Sequence, residues 1–210
     1  MMRIILFGAP GSGKGTIAEF LHRDFGFEKI STGDIIREEV KANSPIGRKA
    51  EAIIKRGDLV PDEVIIDMVG NRLAIRTDRG GYILDGFPRT VLQAEALAQW
   101  PPDRELAVFL DVKEEEVIER LSSRLTCPSC GAIFNSRSKP PRVSGTCDIC
   151  GGRLVVRADD NPETIRQRIR VYLEATGPVI EYFRRRNTLV DIDASGKAKQ
   201  VYERIKKLVS

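Results

Sequence analysis

A glycine-rich loop near the start of the chain constrains the fold more than any other feature. Residues 8–16 read Gly-Ala-Pro-Gly-Ser-Gly-Lys-Gly-Thr and follow a mainly apolar run, residues 3–7, that is typical of a buried strand. The apolar residues after the loop have helical spacing: Ile17, Phe20 and Leu21. Between a strand and a helix, such glycines turn main-chain N–H groups around a phosphate, and Lys14 would reach its outer oxygens. The loop predicts a phosphate-binding site; an idle glycine turn is the alternative.

One position of this loop departs from the general pattern. Gly15 stands where serine or threonine usually follows the lysine, and Thr16 comes one place later. This variant indicates a subset of nucleotide kinases.

Short apolar runs alternate with helical patterns along the rest of the chain. We expect further strands at residues 28–31, 82–85, 106–112 and 188–193. Helices are expected after a cap at Thr32 or Asp34, from Pro45, from Pro61, over residues 113–123 and near the C-terminus. This alternation predicts an α/β fold, with a five-stranded parallel sheet flanked by helices on both faces.

The composition disfavours several function classes. The 210 residues fit one domain or a core with a small insertion, and the formal net charge is +4. No apolar run is long enough to span a bilayer, and the N-terminal run is too short for a signal peptide, so we expect a cytoplasmic protein without membrane contact. Aromatic residues make up only 6%, which disfavours a stacking surface for nucleic acid. The single histidine, His22, argues against a polyhistidine metal site or a Ser/His/Asp triad, and we expect it at the surface.

A second motif follows the predicted strand at residues 82–85. There Asp85 ends the apolar run, and a Gly-Phe-Pro turn leads to Arg89. The carboxyl ends of parallel strands line the ligand crevice, so Asp85 would lie beside the glycine loop and hold Mg²⁺ through its waters. Arg89 would face a second anion. The alternative is a strand-end cap followed by a surface arginine.

All four cysteines fall in one segment that has little periodicity, residues 125–156. Cys127 and Cys130 form one Cys-x₂-Cys knuckle and Cys147 and Cys150 form another, with sixteen residues between the two knuckles. This spacing suits a tetrahedral Zn²⁺, and a glycine follows the second cysteine of each knuckle. Four sulfur ligands leave no open position, so the zinc would be structural. Two disulfides are one alternative, and a nucleic-acid-binding zinc ribbon using Arg137, Lys139 and Arg142 is another.

Four groups of residues together resemble the adenylate kinases. They are the loop ending in Gly-Lys-Gly-Thr, residues 31–34 with Arg37, residues 85–90 with Gln93, and residues 157–160 with Arg168. The resemblance spans nearly the whole chain. It implies a P-loop kinase core (residues 1–30, 61–122 and 161–210), a helical AMP-binding insertion (31–60) and a zinc-containing lid (123–160). The implied reaction is MgATP + AMP ⇌ 2 ADP, catalysed by a monomer whose partners are ATP, AMP and ADP and not nucleic acid.

The resemblance also assigns the site residues. It implies catalytic roles for Lys14, Asp85, Arg89, Arg124, Arg157 and Arg168. It implies ATP contacts from Gly11, Ser12, Gly13, Lys14, Gly15, Thr16, Arg120, Arg124 and Arg157. It implies AMP contacts from Thr32, Arg37, Leu59, Val60, Gly86, Arg89, Gln93 and Arg168. Within these sets, Arg120 would lie against the ATP adenine and phosphates, and Gln93 would offer its amide edge to the AMP base. Asp159 and Asp160 would orient lid arginines.

The residues alone say less about the arginines. Arg168 shares a predicted helix with Ile165, Ile169 and Tyr172, which define a core-facing stripe next to it. An arginine on an inner face needs an anion, either a phosphate or the carboxylate of a buried ion pair. Arg120 and Arg124 lie one helical turn apart and could simply be solvated.

Two other functions stay open. A UMP/CMP kinase is the nearest rival, disfavoured because Thr90 and Gln93 resemble the AMP-selective form. A nucleic-acid-binding zinc-ribbon ATPase is the more distant one, and it would leave Arg89, Gln93 and Arg168 unexplained.

Overall fold

The centre of the molecule is a five-stranded parallel sheet, as predicted. The structure, a computed structural model, describes residues 1–75 and 80–209. The sheet strands are β1 (Met2–Phe7), β2 (Glu28–Ser31), β3 (Gly81–Asp85), β4 (Arg104–Asp111) and β7 (Leu189–Asp193). Their spatial order is β2-β3-β1-β4-β7. A separate antiparallel pair, β5 (Arg124–Thr126) and β6 (Ile133–Asn135), lies in the cysteine-rich part of the chain.

The described residues form eight helices. They are α1 (Lys14–Phe25), α2 (Thr32–Lys41), α3 (Pro45–Arg56), α4 (Asp62–Ala74), α5 (Val91–Ala98), α6 (Glu114–Ser122), α7 (Pro162–Arg185) and α8 (Ala198–Val209). Within the part of the chain that the structure describes, no helix is both long and apolar enough to cross a membrane.

The starts of two helices, α2 and α4, differ from the expectations. The cap of α2 is neither Thr32 nor Asp34: it is Ser31, whose hydroxyl accepts a hydrogen bond from the Asp34 main-chain N–H at 3.3 Å. Ser31 remains extended at the end of β2, so its side chain is free to fold back over the first turn. Pro45 begins α3 as predicted, whereas Pro61 is the cap of α4 and the helix itself begins at Asp62.

Two apolar clusters cover the two faces of the sheet. Because alternate strand residues point to opposite faces, Ile5 and Phe7 enter one cluster and Ile4 and Leu6 the other. Residues of α2, α3, α4, α5 and α7 complete the first cluster, and residues of α1 and α8 complete the second. The central strand β1 is therefore buried along its whole length.

The register of the sheet places the chemical motifs together. Leu6 of β1 pairs with Asp85 of β3, and Ser31 at the end of β2 also pairs with Asp85. The carboxyl ends of these strands therefore meet at one edge of the sheet, where β1 leads into the glycine loop.

Candidate active site

The glycine loop takes a backbone path that side chains would block. Gly8, Gly11 and Gly13 all have positive φ angles, of 142°, 84° and 104°. A Cβ on Gly8 would lie 2.5 Å from Ser12 Oγ and 2.9 Å from the Leu110 carbonyl oxygen. Gly13 precedes Lys14, the first residue of α1. The loop therefore leads directly into a helix N-terminus, where unpaired N–H groups favour an anion.

Lys14 lies at the centre of the charged groups. Its Nζ donates hydrogen bonds to the main-chain oxygens of Gly8 and Ala9, at 2.7 and 2.9 Å. Burial lowers its pKa to about 8; the nearby charge of Asp85 acts in the opposite direction, and the guanidiniums of Arg89, Arg168 and Arg124 lower it further. Several cations thus converge on the end of the loop, a field that favours a polyanion such as a triphosphate.

Ser12 and Asp85 supply oxygen atoms beside the lysine. The buried Ser12 hydroxyl has no hydrogen-bond partner among the described residues, which is costly unless a ligand supplies one. A Cβ on Gly15 would lie in van der Waals contact with Asp85 Oδ2, at 3.6 Å, so this carboxylate lies beside the start of α1. Mg²⁺ prefers carboxylate oxygens and retained waters, and Asp85 next to a phosphate cradle fits that ion.

A second pocket surrounds the Gly86 carbonyl. Thr32 Oγ1 and Arg89 Nε both donate to this oxygen at 2.9 Å. Gly86 has φ +79°, and a Cβ there would lie 2.8 Å from Arg89 Nη2. Burial lowers the pKa of Arg89, and the charge of Arg168 lowers it further. Neither effect removes the charge of a guanidinium near neutral pH, so the pocket presents a buried cation.

The other residues implied for this pocket lie around it. Arg37 forms an ion pair with Asp34 on α2, and its charge acts on both Arg89 and Arg157. Val60 is buried in the first apolar cluster, and Leu59 is half-buried beside it in the chain.

Gln93 is only 2% exposed, and each end of its amide has a hydrogen bond to the protein. Its Oε1 accepts a hydrogen bond from the Arg89 main-chain N–H at 2.8 Å, and its Nε2 donates to Asp62 Oδ1 at 2.7 Å. The amide is therefore held at both ends. The contact with an AMP base remains a prediction.

Arg168 and Arg124 converge on one buried carboxylate. Asp160 has no exposed side-chain surface; it accepts a hydrogen bond from Arg124 Nε at 2.7 Å and one from Arg168 Nη1 at 3.0 Å. Arg168 Nη1 also lies 2.9 Å from Asp159 Oδ2. Burial would raise the pKa of Asp159, but the guanidiniums of Arg168 and Arg124 hold it below its usual value. Arg168 is therefore paired with carboxylates, which was one of the two alternatives for it. A contact with a phosphate, the other alternative, stays a prediction.

Arg157 is fixed by β5. Its Nε donates to Thr126 Oγ1 at 3.0 Å. Burial lowers its pKa to about 10, and the charges of Arg124 and Arg37 contribute in the same direction. It therefore stays protonated at neutral pH.

The four cysteines form one compact group. Their Sγ atoms all lie within 4.8 Å of one another, so the group could hold a metal ion. The Cys127–Cys150 and Cys130–Cys147 sulfur distances are 3.5 and 3.6 Å, which are too long for disulfide bonds. Gly131 and Gly151, which follow the second cysteine of each knuckle, have φ angles of +76° and +72°, a conformation that favours glycine. A Cβ on Gly152 would lie 3.2 Å from Cys127 Sγ, so a glycine lets the two knuckles approach.

Comparison with known proteins decides the family. The family model for adenylate kinase matches residues 6–188. The chain belongs to the adenylate kinase family. It is 44% identical over 212 residues to an adenylate kinase of Thermosipho melanesiensis, with 99% of each chain covered. It is 47% identical over 193 residues to one of Caldicellulosiruptor saccharolyticus, with 90% of each covered. It is 46% identical over 198 residues to one of Moorella thermoacetica, with 92% of this chain and 91% of that one covered.

Arg120 supports the glycine loop from α6. Its guanidinium donates to the main-chain oxygens of Ser12 and Ala194, at 3.2 and 2.9 Å, and pairs with Glu116. It thereby ties the glycine loop to the turn after β7. Its implied contact with ATP stays a prediction.

Sequence reasoning missed the residues that hold the site together. Asp62 receives the amide of Gln93, and Thr126 receives the guanidinium of Arg157. Both partners lie about thirty residues from the groups they hold. The only local signal was that Asp62 follows Pro61 at the start of a predicted helix, a position that also favours an acidic residue for the helix alone.

Proposed function

We propose that this chain transfers the γ-phosphoryl group of MgATP to AMP, in a reversible reaction that yields two ADP. The observation that carries the proposal is the convergence of Lys14 with the half-buried guanidiniums of Arg89, Arg124 and Arg168 beside the glycine loop. Phosphoryl transfer needs little acid–base chemistry, and positioning and charge stabilisation supply most of the rate.

Each group has a distinct place in this reaction. The glycine loop holds the ATP phosphates through main-chain N–H groups, and Lys14 stabilises charge on the transferred group. Arg89, with Arg37, holds the AMP phosphate so that one of its oxygens faces the γ-phosphorus. Arg168 bridges the phosphates of ATP and AMP. Arg124 and Arg157 neutralise charge on the ATP phosphate oxygens. As the AMP oxygen bonds to the γ-phosphorus, the bond to the β-phosphate oxygen breaks and ADP leaves. Bound Mg²⁺, held near Asp85, would neutralise further phosphate charge.

The division into units follows from this arrangement. The core comprises residues 1–30, 61–122 and 161–210. Residues 31–60 form the AMP-binding insertion, and residues 123–160 form the lid. Ile133 of the lid would lie 3.8 Å from a Cβ on Gly15, and Lys41 of the insertion donates to the Pro128 oxygen of the lid at 3.5 Å. These contacts support a lid that closes over the loop and excludes water, which otherwise would accept the phosphoryl group.

Four further points belong to the proposal. The cysteines hold one structural Zn²⁺, since four sulfur atoms within 4.8 Å of one another suit that ion and leave it no open position. The enzyme acts as a monomer, because every group in the proposed mechanism comes from one chain. It works in the cytoplasm, where its nucleotide substrates are found. It does not use nucleic acid.

The deciding experiment measures ADP formation from ATP with AMP, CMP, UMP and GMP in parallel. We expect the highest kcat/KM with AMP. A higher value with CMP or UMP would instead assign the chain to the UMP/CMP kinases, and ATP hydrolysis stimulated by nucleic acid without transfer to any monophosphate would favour the zinc-ribbon ATPase. Gln93→Ala should weaken discrimination among bases by about 1–3 kcal/mol, the range expected for loss of a buried polar partner.

A further inference from the structure

Asp62 is a half-buried carboxylate that none of the recognised motifs contains, and it joins two helices. It is the first residue of α4, and both of its carboxylate oxygens accept a hydrogen bond from the start of α5. Gln93 Nε2 donates to Oδ1 at 2.7 Å, and Thr90 Oγ1 donates to Oδ2 at 2.9 Å. A carboxylate can only accept at these positions, so it specifies which atom of the Gln93 amide faces it.

The opposite end of the same amide is specified as well. Gln93 Oε1 accepts from the Arg89 main-chain N–H at 2.8 Å. Turning the amide over would place its NH₂ against that N–H and its oxygen against the Asp62 carboxylate. Both contacts would then be repulsive, so the two neighbours fix one sense of the amide.

The fixed amide has one donor and one acceptor left. An amide carries two N–H bonds and two oxygen lone pairs, and the protein uses one of each. The remaining pair matches a base edge with a ring-nitrogen acceptor beside an exocyclic amino donor, which is the edge of a 6-aminopurine. A 6-oxopurine presents the reverse, a ring N–H donor beside a carbonyl acceptor.

The amide lies next to the acceptor pocket. Gln93 is one helical turn beyond Arg89, whose guanidinium shares the Gly86 carbonyl with Thr32. The base of a nucleotide whose phosphate binds Arg89 is therefore within reach of this part of α5.

We propose that Asp62 is a positioning residue for base selection, which holds the Gln93 amide in the sense that accepts a 6-aminopurine and rejects a 6-oxopurine. The inference rests on the proposed AMP-binding function. It adds that discrimination between these purines depends on a carboxylate that need not touch the nucleotide.

The test compares AMP with IMP, because the two differ at the edge in question and not in ring size. We would measure kcat/KM for both nucleotides, and their dissociation constants by calorimetry, in the wild type, Asp62→Ala and Asp62→Asn. Asp67→Ala is the matched control, since Asp67 is exposed on the same helix. Calorimetry gives the AMP:IMP ratio even where IMP turnover is slow.

We expect the AMP:IMP ratio to fall about tenfold in Asp62→Ala, the lower part of the range for losing a buried hydrogen-bond partner. The loss should fall on AMP and spare IMP, because the freed amide can then turn. In Asp62→Asn the ratio should fall by a smaller factor, about threefold, because Asn can present either an oxygen or an N–H₂ group. Asp67→Ala should keep the wild-type ratio.

Several outcomes would overturn the inference. An unchanged ratio in folded Asp62→Ala would do so, as would equal losses for AMP and IMP, the result of a purely structural role at the start of α4. If Asp62→Ala does not fold, an unchanged ratio in Asp62→Asn overturns it. Failure of the wild type to phosphorylate AMP would refute the proposed function instead. The wild-type activity is therefore measured before any variant is made.

Discussion

The glycine loop and the cysteine segment, residues 123–160, contact the same candidate site but are stabilised differently. The loop is anchored to β1 and α1, and both of these elements contribute to a large apolar cluster on one face of the sheet. The buried apolar cluster of the cysteine segment contains Cys127, Phe134, Cys147 and Leu154, so half of it consists of thiols. The free energy of burial can hold the loop in place. The cysteine segment has little apolar surface, so we expect it to depend on the metal that its thiols could bind.

The two regions also hold their cations differently. Lys14 donates to two main-chain carbonyl oxygens, and the charge of Asp85 acts on it without a hydrogen bond between the two among the described residues. Arg124 is instead paired with the fully buried Asp160. We therefore expect a ligand phosphate to replace the neutral partners of Lys14, while Arg124 stays oriented by the Asp160 carboxylate. We expect damage in the loop to affect the rate and damage in the cysteine segment to affect stability.

The largest effect is expected at Lys14. Lys14→Met should lower kcat by about 10² or more with a smaller change in KM, because the lysine stabilises charge that develops in the transition state. Lys14→Arg should not restore the rate, since a broad guanidinium cannot replace a compact ammonium inside the loop. Steady-state kinetics would test both variants. Lys199→Met, on the exposed surface of α8, is the control, and near-normal kcat in Lys14→Met would remove the lysine from the mechanism.

Loss of the metal or of one cysteine should lower the rate less than loss of Lys14 does, but it should lower the stability more. Chelation, Cys130→Ala or Cys147→Ala should destabilise residues 123–160 by several kcal/mol, because metal binding supplies the folding free energy of such a segment. The glycine-loop core should stay folded, and phosphoryl transfer should remain measurable at low temperature. Melting curves, metal analysis and low-temperature activity would test this expectation.

Ser138→Ala is the matched control for this experiment, because Ser138 is exposed in the same segment. We expect about one zinc per chain in the wild type and in this control. Cysteines recovered as disulfides with no metal would contradict the site. Complete loss of transfer in a variant whose cysteine segment is folded would indicate a catalytic metal.

The sequence predicted the regular elements better than the contacts between them. Each strand of the sheet was predicted within two residues of its ends, because a buried parallel strand is a short apolar run with clear boundaries. The helix α5 was missed: it has only eight residues, and its sequence was interpreted through the adjoining Gly-Phe-Pro-Arg motif. The pair β5–β6 was missed because its strands have three residues each, too few for a periodic pattern.

The same limit applies to charged residues. Arg3 begins an apolar run, yet it is 4% exposed and its Nε donates to Glu105 Oε2 at 2.7 Å. That pairing depends on the register of β1 with β4, where Arg3 lies opposite Glu105. Sequence motifs identified Arg124, Arg168 and Asp160 as members of one site, but only the folded chain shows that Asp160 receives both guanidiniums. Partners that come from distant parts of the chain leave no local pattern.

The smallest expected effect is a pH dependence that belongs to the loop and not to the arginines. Lys14 has a pKa of about 8 because it is buried, whereas its usual value is 10.5. Below pH 8 the ammonium is charged and can stabilise phosphate, and above pH 8 it loses its proton. The kcat/KM for ATP, which reports the free enzyme, should therefore fall by up to about tenfold per pH unit above 8. The pKa of Arg157 is lowered only to about 10, so this arginine stays mostly charged at the pH values where Lys14 loses its proton.

Lys14→Met separates this titration from every other one. Its residual activity should be flat between pH 7 and about pH 9.5, because the group that titrates is gone while the guanidiniums remain charged. Nucleotides would be separated and quantified directly, so that no coupling enzyme adds a pH dependence of its own. If the wild type stays flat over this interval, Lys14 keeps its proton in the free enzyme despite its burial. If Lys14→Met shows the same decline as the wild type, the titrating group lies elsewhere, and the contrast between a titratable loop cation and permanently charged arginines is wrong.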